Sequence, residues 1–253
     1  MKSGKDCVKT CEYANYEKHL HSLWFRIFNL NDSYYILNKI IAFPFSLFSI
    51  DNHYFWHYTR TALFERCIML TWGLVIDCNN GEGLTLGQFK NVIFKTYLIE
   101  DELNEFKEKV KELQFDQKIN DLKSKIINIR HNFIAHYNYE KAWENNNITD
   151  QDSISIRELG TGLTIINEYF TVLCLGVIYS IHNVKYLPGA TIGGKPVLTD
   201  IDKLLRNIIV DDPCYSMSDE NPQRWHFVKN KIDPIKLELI NTVRNDSGLP
   251  QIE

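Results

Sequence analysis

The sequence predicts an all-α protein, an antiparallel helical bundle with extra helices at its N- and C-terminal ends. Over most of the chain, apolar residues recur every three or four positions, which is the period of a helix with a buried face. Two capping boxes, Thr85 with Gln88 and Ser155 with Glu158, lie at the starts of two of these periodic segments. Because periodicity and capping agree, they favour the same fold class.

The first 50 residues are predicted to form a loose, charged start followed by two helices. Residues 1–14 form the loose start, and residues 16–30 place apolar side chains at helical spacing. The Asn-Asp-Ser sequence at residues 31–33 predicts a break and a new helix start. The second helix then runs to about residue 48, and Pro44 is expected to end or kink it.

A third helix is predicted over residues 53–77, with Asp51 as its N-cap. It is apolar on more than one face, which is typical of a helix at the centre of a bundle or at a subunit interface. Its notable polar residues are His57, Arg60 and Glu65, and we expect them on the less buried face. The alternative is a role near a functional site.

From residue 79 to residue 182, the pattern predicts one turn and three helices. Residues 79–83 form the turn, and residues 85–98 form a short helix. One long helix follows over residues 103–133, in which the apolar stripe changes register at Phe115. A further helix is predicted over residues 155–182.

The C-terminal part is predicted to alternate between irregular segments and short helices. Residues 187–197 form a Gly/Pro-rich loop that lacks the spacing of a phosphate-binding loop, since Pro196 stands where Ser or Thr would bind magnesium. Residues 200–210 predict a short helix, residues 211–225 look irregular, and residues 234–244 predict the last helix.

Composition excludes several classes of protein. A net charge of −4 argues against broad binding to nucleic-acid backbones, although it allows a small basic site. The six cysteines form no C-x-x-C pair, so we expect free thiols in a reducing compartment, and neither a metal nor a cofactor. The N-terminus has no apolar signal core, and the most apolar run is too short to span a bilayer. We therefore expect a cytoplasmic protein with no membrane partner.

Polar residues crowd at the end of the predicted long helix: Arg130, His131, Asn132 and His136. Arginine and histidine are the groups that acid–base chemistry on a phosphodiester uses. By spacing alone the pattern is weak, because a chance match is expected in roughly one such chain in four. On an unbroken helix six residues turn through about 600°, so Arg130 and His136 would point to different sides. A bend near Ala135, or a two-fold dimer, would bring them together.

The stretch Arg130-His131-Asn132-Phe133-Ile134-Ala135-His136 resembles the Arg-polar-x(3–5)-His signature of the HEPN superfamily, especially its abortive-infection-related branch. The resemblance covers about residues 51–183. Residues 1–50 then become an N-terminal helical extension packed on the core, and residues 184–253 a C-terminal loop and helical extension. The resemblance implies a four- to five-helix bundle that dimerises, with a metal-independent endoribonuclease site in the dimer cleft.

The resemblance also implies a role for each residue of the motif. His136 would be the general acid or base on the ribose 2′-OH or the leaving oxygen. Arg130 would stabilise the charge that develops on the scissile phosphate. Asn132 would orient His136 or the phosphate, and His131 would support the site. The product would be a 2′,3′-cyclic phosphate, because the 2′-OH of the RNA is the nucleophile.

The implied partners are RNA, a second copy of the chain and an antitoxin or regulatory protein. Some toxin members of this branch carry, two residues after the motif histidine, a tyrosine that a partner antitoxin nucleotidylates. Here Asn138 occupies that position, between Tyr137 and Tyr139, which puts this regulation in doubt. The flank of the motif is only modestly basic, which favours a small or shape-read RNA target. The basic residues counted there are Lys118, Lys123, Lys125 and Arg130, against the acidic Asp121.

An alternative interpretation assigns no catalysis to the motif. An arginine at a helix end can cap carbonyl groups or pair across an interface, and a fold can be kept without its chemistry. The chain would then be a non-catalytic HEPN-like helical module that binds a protein or a nucleotide.

Overall fold

The protein is all-α, as predicted, throughout the part of the chain that the computed structural model describes: residues 4–48, 53–76, 84–131, 154–181, 191–192 and 195–252. A two-residue antiparallel ladder joins β1 (Thr191–Ile192) and β2 (Lys195–Pro196). A π-helical segment, Ile93–Tyr97, follows the fourth helix. The helices are α1 (Gly4–Cys7), α2 (Tyr13–Ala42), α3 (His53–Val75), α4 (Leu86–Val92), α5 (Leu103–Leu113), α6 (Phe115–Ile129), α7 (Ile156–Leu173), α8 (Asp200–Val210), α9 (Pro213–Glu220), α10 (Pro222–Val228) and α11 (Pro234–Asp246).

The chain divides into two compact units. Unit 1 comprises Met1–Tyr35 and Ala62–Val184, and unit 2 comprises Ile36–Thr61 and Lys185–Glu253. The boundaries between them therefore fall inside α2 and α3. The three segments expected from the sequence follow helical pattern and motif instead, and that division stays a prediction.

In unit 1, α7 packs against α4, α5 and α6. The rings of Phe115 and Tyr169 stack with centroids 4.0 Å apart, which joins the start of α6 to α7. Farther along the same pair of helices, Gly162 leaves room for the Leu122 side chain, which a Cβ at position 162 would hit. These contacts fix α6 on α7, whereas the antiparallel bundle order stays a prediction.

The N-terminal segment is packed, so the prediction of a loose start is wrong. Cys7 and Val8 are buried, and Val8 forms an isolated antiparallel bridge with Leu98. The Lys9 amide donates to the Tyr97 carbonyl over 2.8 Å. These backbone contacts tie the segment to the π-helical turn.

Helix α2 runs unbroken through residues 31–33, so the predicted break is also wrong. Asn31 donates to the Ile27 carbonyl at 2.9 Å, and Ser33 donates to the Asn29 carbonyl at 2.7 Å. Both polar side chains therefore find partners without leaving the helix. The helix ends at Ala42, two residues before Pro44, as proline chemistry predicts.

The predicted long helix over residues 103–133 is two helices. Gln114 separates α5 from α6 with a left-handed backbone (φ 50°), at the point where the apolar register changes. The next helix, α7, ends at Leu173 and not near residue 182. Two residues with positive φ follow it, Leu175 at 49° and Gly176 at 82°, and a left-handed backbone cannot continue a right-handed helix.

Both predicted capping boxes are confirmed. The Gln88 amide donates to Thr85 Oγ1 at 3.1 Å, and the Glu158 amide donates to Ser155 Oγ at 3.1 Å. The reciprocal bonds run from each cap amide to the side chain three residues later. Helix α3 is confirmed as well, but its predicted cap Asp51 and the predicted turn at residues 79–83 lie outside the described residues.

Unit 2 is built on a core of Phe48, Ile209, Trp225, Ile240, Val243 and Ile252. Helices α8 and α11 confirm two predictions, but the irregular segment predicted at residues 211–225 is wrong. It contains α9 and α10, each with a proline at its first position. Asp212 caps α9 and Asn221 caps α10, each through its side chain.

The polar side chains of α3 and the cysteines agree with the sequence predictions. His57, Arg60 and Glu65 are exposed on α3, as predicted. The five described cysteines are free thiols, as predicted, and Cys78 lies outside the described residues. Among the helices described, none combines the length and the apolar character needed to cross a bilayer.

Candidate functional site

Helix α6 carries the first part of the motif to its C-terminal end. Ile119, Leu122, Ile126 and Ile129 recur at helical spacing and are buried, which fixes the rotation of the helix. The Arg130 amide donates to the carbonyls of Ile126 and Ile127, so Arg130 is still in helical backbone. From Arg130 to His131 the geometry becomes π-helical, a local widening that is frequent at functional sites.

The guanidinium of Arg130 lies over the indole of Trp72 on α3, 4.3 Å from the ring centroid. Both side chains are half-buried. Arg130 Nε is buried, and among the described residues the Nε has no hydrogen-bond partner and the side chain has no ion pair. The charge is therefore held by an aromatic face and is not neutralised by a carboxylate in the described part of unit 1.

Arg26 on α2 fixes the backbone beside Trp72. Its Nη1 donates to the Leu84 carbonyl at 2.8 Å, and its Nη2 donates to the carbonyl of Gly73. Burial lowers the pKa of this guanidinium from its ordinary value. These bonds tie α2 to the last turn of α3, so the indole that meets Arg130 stands on an anchored segment.

Two of the four residues predicted from the sequence lie within the described part of the chain. Arg130 is half-buried at the end of α6, and His131 is exposed next to it. Asn132 and His136 lie outside the described residues. The convergence of Arg130 with His136, within one chain or across a dimer, therefore stays a prediction. The contact of Arg130 with Trp72 has no local mark in the sequence, so Trp72 was not among the predicted residues.

The lysines that flank the motif on α6 are largely neutralised. Lys125 pairs with Glu158 at 2.6 Å, and Lys123 lies 3.7 Å from Asp116. The hydrogen bond from Lys125, followed by bonds from Ser155, lowers the pKa of Glu158 to about 2. Lys118 is exposed and forms no ion pair with the described residues. Among the described residues of this flank, two cations therefore have no carboxylate partner, the exposed Lys118 and the half-buried Arg130.

The described ranges contain no group of three or more His, Cys, Asp or Glu side chains placed to hold a metal ion. Comparison with known proteins gives no relative: no family model, no curated protein and no solved structure matches this chain. The residues of the site therefore carry the functional argument.

Proposed function

We propose that this chain is a metal-independent endoribonuclease of a toxin or defence system. In this proposal it belongs to the HEPN superfamily and cuts RNA at a site formed across a homodimer. The proposal rests on the motif from Arg130 to His136 and on the surroundings of Arg130. Free thiols fit a reducing compartment, so the proposed setting is the cytoplasm.

The observation that carries the proposal is the state of the Arg130 guanidinium. A cation over an indole stabilises a fold by about 0.5–2 kcal/mol. A buried donor without an acceptor, such as Arg130 Nε, costs about 1–3 kcal/mol. These terms are similar in size and opposite in sign, so packing alone gives Arg130 little net stabilising effect. A half-buried, unneutralised guanidinium is instead suited to binding an anion such as a phosphate.

The proposed reaction needs one base, one acid and one charge-stabilising group. The base removes the proton from the ribose 2′-OH, O2′ forms a bond to phosphorus, and the bond from phosphorus to O5′ breaks. The acid returns a proton to O5′, which leaves a 2′,3′-cyclic phosphate and a 5′-hydroxyl. We assign the acid or base role to His136 and the stabilisation of the phosphorane charge to Arg130. Asn132 and His131 would orient and support them.

The experiment is cleavage of transfer RNA and total RNA by the purified chain in EDTA. We expect Arg130→Ala to lower the rate about 10²- to 10³-fold, the usual cost of removing one charge-stabilising donor. His136→Ala should lower it about 10²- to 10⁴-fold. Arg157→Ala is the matched control, because Arg157 is exposed on α7 in the same unit and forms no ion pair with the described residues. Equal cleavage by all four chains, or none by any of them, contradicts the proposal.

A second candidate is a non-catalytic HEPN-like module that binds a protein or a nucleotide. The packing of Arg130 on Trp72 favours it, because a half-buried arginine on an indole can serve structure alone. In that case Arg130→Ala lowers the free energy of unfolding while the wild type cuts no RNA. Urea unfolding of the same variants therefore separates the two candidates.

The proposed partners follow from the same assignment. A homodimer would supply the second copy of Arg130 and His136, and an antitoxin or regulatory protein would control the activity. Sedimentation of the purified chain tests for the homodimer. Co-purification from the native host tests for the antitoxin or regulatory protein.

A further inference from the structure

A cavity of about 400 Å³ lies in unit 1, between the start of α5 and the end of α7. Its floor is apolar and buried: Cys7 is 8% exposed, Leu98 and Phe106 are each 3% exposed, and Leu175 is 9% exposed. The half-buried Val172 completes this floor. A water molecule on such a surface finds few hydrogen-bond partners, so the floor suits the apolar part of a ligand. The volume lies in the range of small-molecule pockets, about 300–1,000 Å³.

The walls of the cavity are held in place by neighbouring contacts. The Ile99 amide donates to the Cys7 carbonyl at 3.1 Å, which fixes the N-terminal segment against the chain that follows the π-helical turn. The rings of Phe94 and Phe106 meet edge to face, with centroids 4.9 Å apart. Because these contacts form without a ligand, a ligand loses little affinity to the ordering of the walls.

Two irregular backbone segments border the cavity. The π-helical segment Ile93–Tyr97 ends directly before Leu98. Leu175, which follows α7, has a left-handed backbone with φ 49°, a conformation that is unfavourable for a residue with a bulky side chain. π-Helical turns and left-handed residues other than glycine are concentrated at functional sites. Their position beside one cavity therefore favours a binding site over an incidental gap in the packing.

The described rim of the cavity is acidic. It carries two carboxylates, Glu102 and Glu105, and one ammonium, Lys109, which pairs with Glu105. Glu102 is half-buried and accepts a long hydrogen bond from the Cys7 thiol at 3.9 Å. An ionised carboxylate has about four acceptor sites, so Glu102 can accept from a further donor. The sequence Glu-Asp-Glu at residues 100–102 adds to the negative potential, which attracts cations and repels anions.

We infer that this cavity binds a small organic amine. The apolar body of the amine lies on the floor of Leu98, Phe106 and Val172, and its ammonium group donates to the Glu102 carboxylate. Such a ligand matches both surfaces, because its body is buried on the apolar floor and its charge is balanced at the acidic rim. The rim repels phosphate groups, so this site is separate from the one proposed for RNA and does not depend on cleavage.

The test is isothermal titration calorimetry of the wild-type chain with three compounds that share one apolar body. Phenylbutylamine carries a cationic head group, phenylbutanol a neutral one and phenylbutyrate an anionic one. We expect the amine to bind and to raise the melting temperature. The alcohol should bind about 10- to 100-fold more weakly, the effect of losing one hydrogen bond to a charged group. The carboxylate should not bind.

Two variants test the two parts of the cavity. Glu102→Gln keeps the shape of the rim but removes its charge, and it should weaken binding of the amine about 10- to 100-fold while binding of the alcohol stays the same. Thr171→Trp places a large ring at the exposed mouth and should prevent binding of both compounds. Glu108→Gln is the matched control, because Glu108 is exposed on α5 outside the lining. Binding is compared only among variants that have the circular dichroism spectrum of wild type.

Four results overturn the inference: no binding of phenylbutylamine by wild type, equal affinity for the amine and the alcohol, or wild-type affinity for the amine in Glu102→Gln or in Thr171→Trp. Tighter binding of phenylbutyrate than of the amine assigns the cavity to an anion and also overturns it. RNA cleavage is measured separately, so failure of the proposed ribonuclease leaves these results unchanged.

Discussion

The Arg130 guanidinium lies 4.3 Å from the centre of the Trp72 ring, although these residues are far apart in the sequence and belong to different helices. The contact sets the direction in which the charge at the end of α6 points. Because Arg26 anchors the backbone next to Trp72, the indole is a rigid support. Trp72 is therefore a positioning residue in the proposed site.

Replacing Trp72 tests whether the indole positions Arg130. Trp72→Leu removes the π face, and we expect RNA cleavage to fall by a factor of about 2 to 30, the range that 0.5–2 kcal/mol of cation–π energy implies. Trp72→Phe keeps a ring and should lose less. Activity is measured well below the melting temperature of each variant, in parallel with urea unfolding. A folded Trp72→Leu chain with wild-type activity would show that the contact has no functional role.

Gly162 tests the close packing of α6 on α7. A Cβ at this position would clash with Leu122 Cδ2, so we expect Gly162→Ala to lower the free energy of unfolding by about 1–3 kcal/mol. Thr161→Ala, at the exposed neighbouring position, should change it by less than about 0.5 kcal/mol. The double variant with Leu122→Ala should be less destabilised than the two single effects predict. If the two single effects simply add, a Cβ at position 162 does not clash with Leu122, and the close packing of α6 on α7 is contradicted.

Arg244 is a buried charge in unit 2 with four hydrogen bonds. Its side chain is 1% exposed and donates to Asp219 at 2.8 and 3.0 Å, to the Tyr215 carbonyl at 2.6 Å and to the Pro250 carbonyl at 2.9 Å. Arg244→Met leaves the Tyr215 and Pro250 carbonyls without this donor and should cost about 1–3 kcal/mol, because the remaining partner, Asp219, is 53% exposed and is solvated by water.

The control for Arg244 is Arg206→Met. Arg206 pairs with Asp246 nearer the surface, and its loss should cost less than about 1 kcal/mol. Urea unfolding followed by circular dichroism measures both variants. Similar costs for the two substitutions would refute the structural role assigned to Arg244.

The lowered pKa of Glu158 predicts that the free energy of unfolding decreases slightly at acidic pH. Its pKa falls from the ordinary 4.5 to about 2 on folding, so the unfolded chain binds the proton more readily. The stabilisation is complete above about pH 4.5 and is lost as the pH falls towards 2. The carboxylate is 41% exposed, so solvent screening keeps the effect below about 1 kcal/mol.

Glu158→Gln isolates this acid effect, because glutamine keeps the capping box but does not titrate. The unfolding free energy of the variant should change less than that of wild type between pH 6 and pH 3. Parallel pH profiles for the two chains would show that the ion pair with Lys125 does not contribute.

Much of the fold is predictable because its signals are local. A capping box is complete within four residues, which is why Thr85 and Ser155 mark helix starts correctly. The same rule would have found the box of Thr199 and Asp202 ahead of α8. The Asp-Pro and Asn-Pro pairs at Asp212 and Asn221 are also local signals, and attention to them would have identified α9 and α10.

Other features depend on distant partners and leave no local signal. Asn31 stays inside α2 partly because its amide exchanges two hydrogen bonds with Asn167 on α7, at 3.1 and 3.0 Å. Residues 31–33 alone look like a helix break. The change of apolar register near Phe115 is visible in the sequence, but the left-handed Gln114 that produces it is not a glycine and carries no usual mark.

The candidate site likewise has one feature with a local sequence signal and one that depends on a distant residue. The motif places Arg130 at a helix end from the sequence alone, since it follows a long amphipathic stripe. The contact with Trp72 joins two helices that are remote in sequence, so no local pattern could predict it.

The chemical nature of the RNA ends left by the wild-type chain in EDTA is the most direct test of the proposed chemistry. Attack by the 2′-OH predicts 2′,3′-cyclic phosphate and 5′-hydroxyl ends, formed equally well with and without magnesium, and their loss in Arg130→Ala and His136→Ala. Cleavage that requires magnesium and leaves 5′-phosphate ends, or identical products from wild type and both variants, would contradict the account.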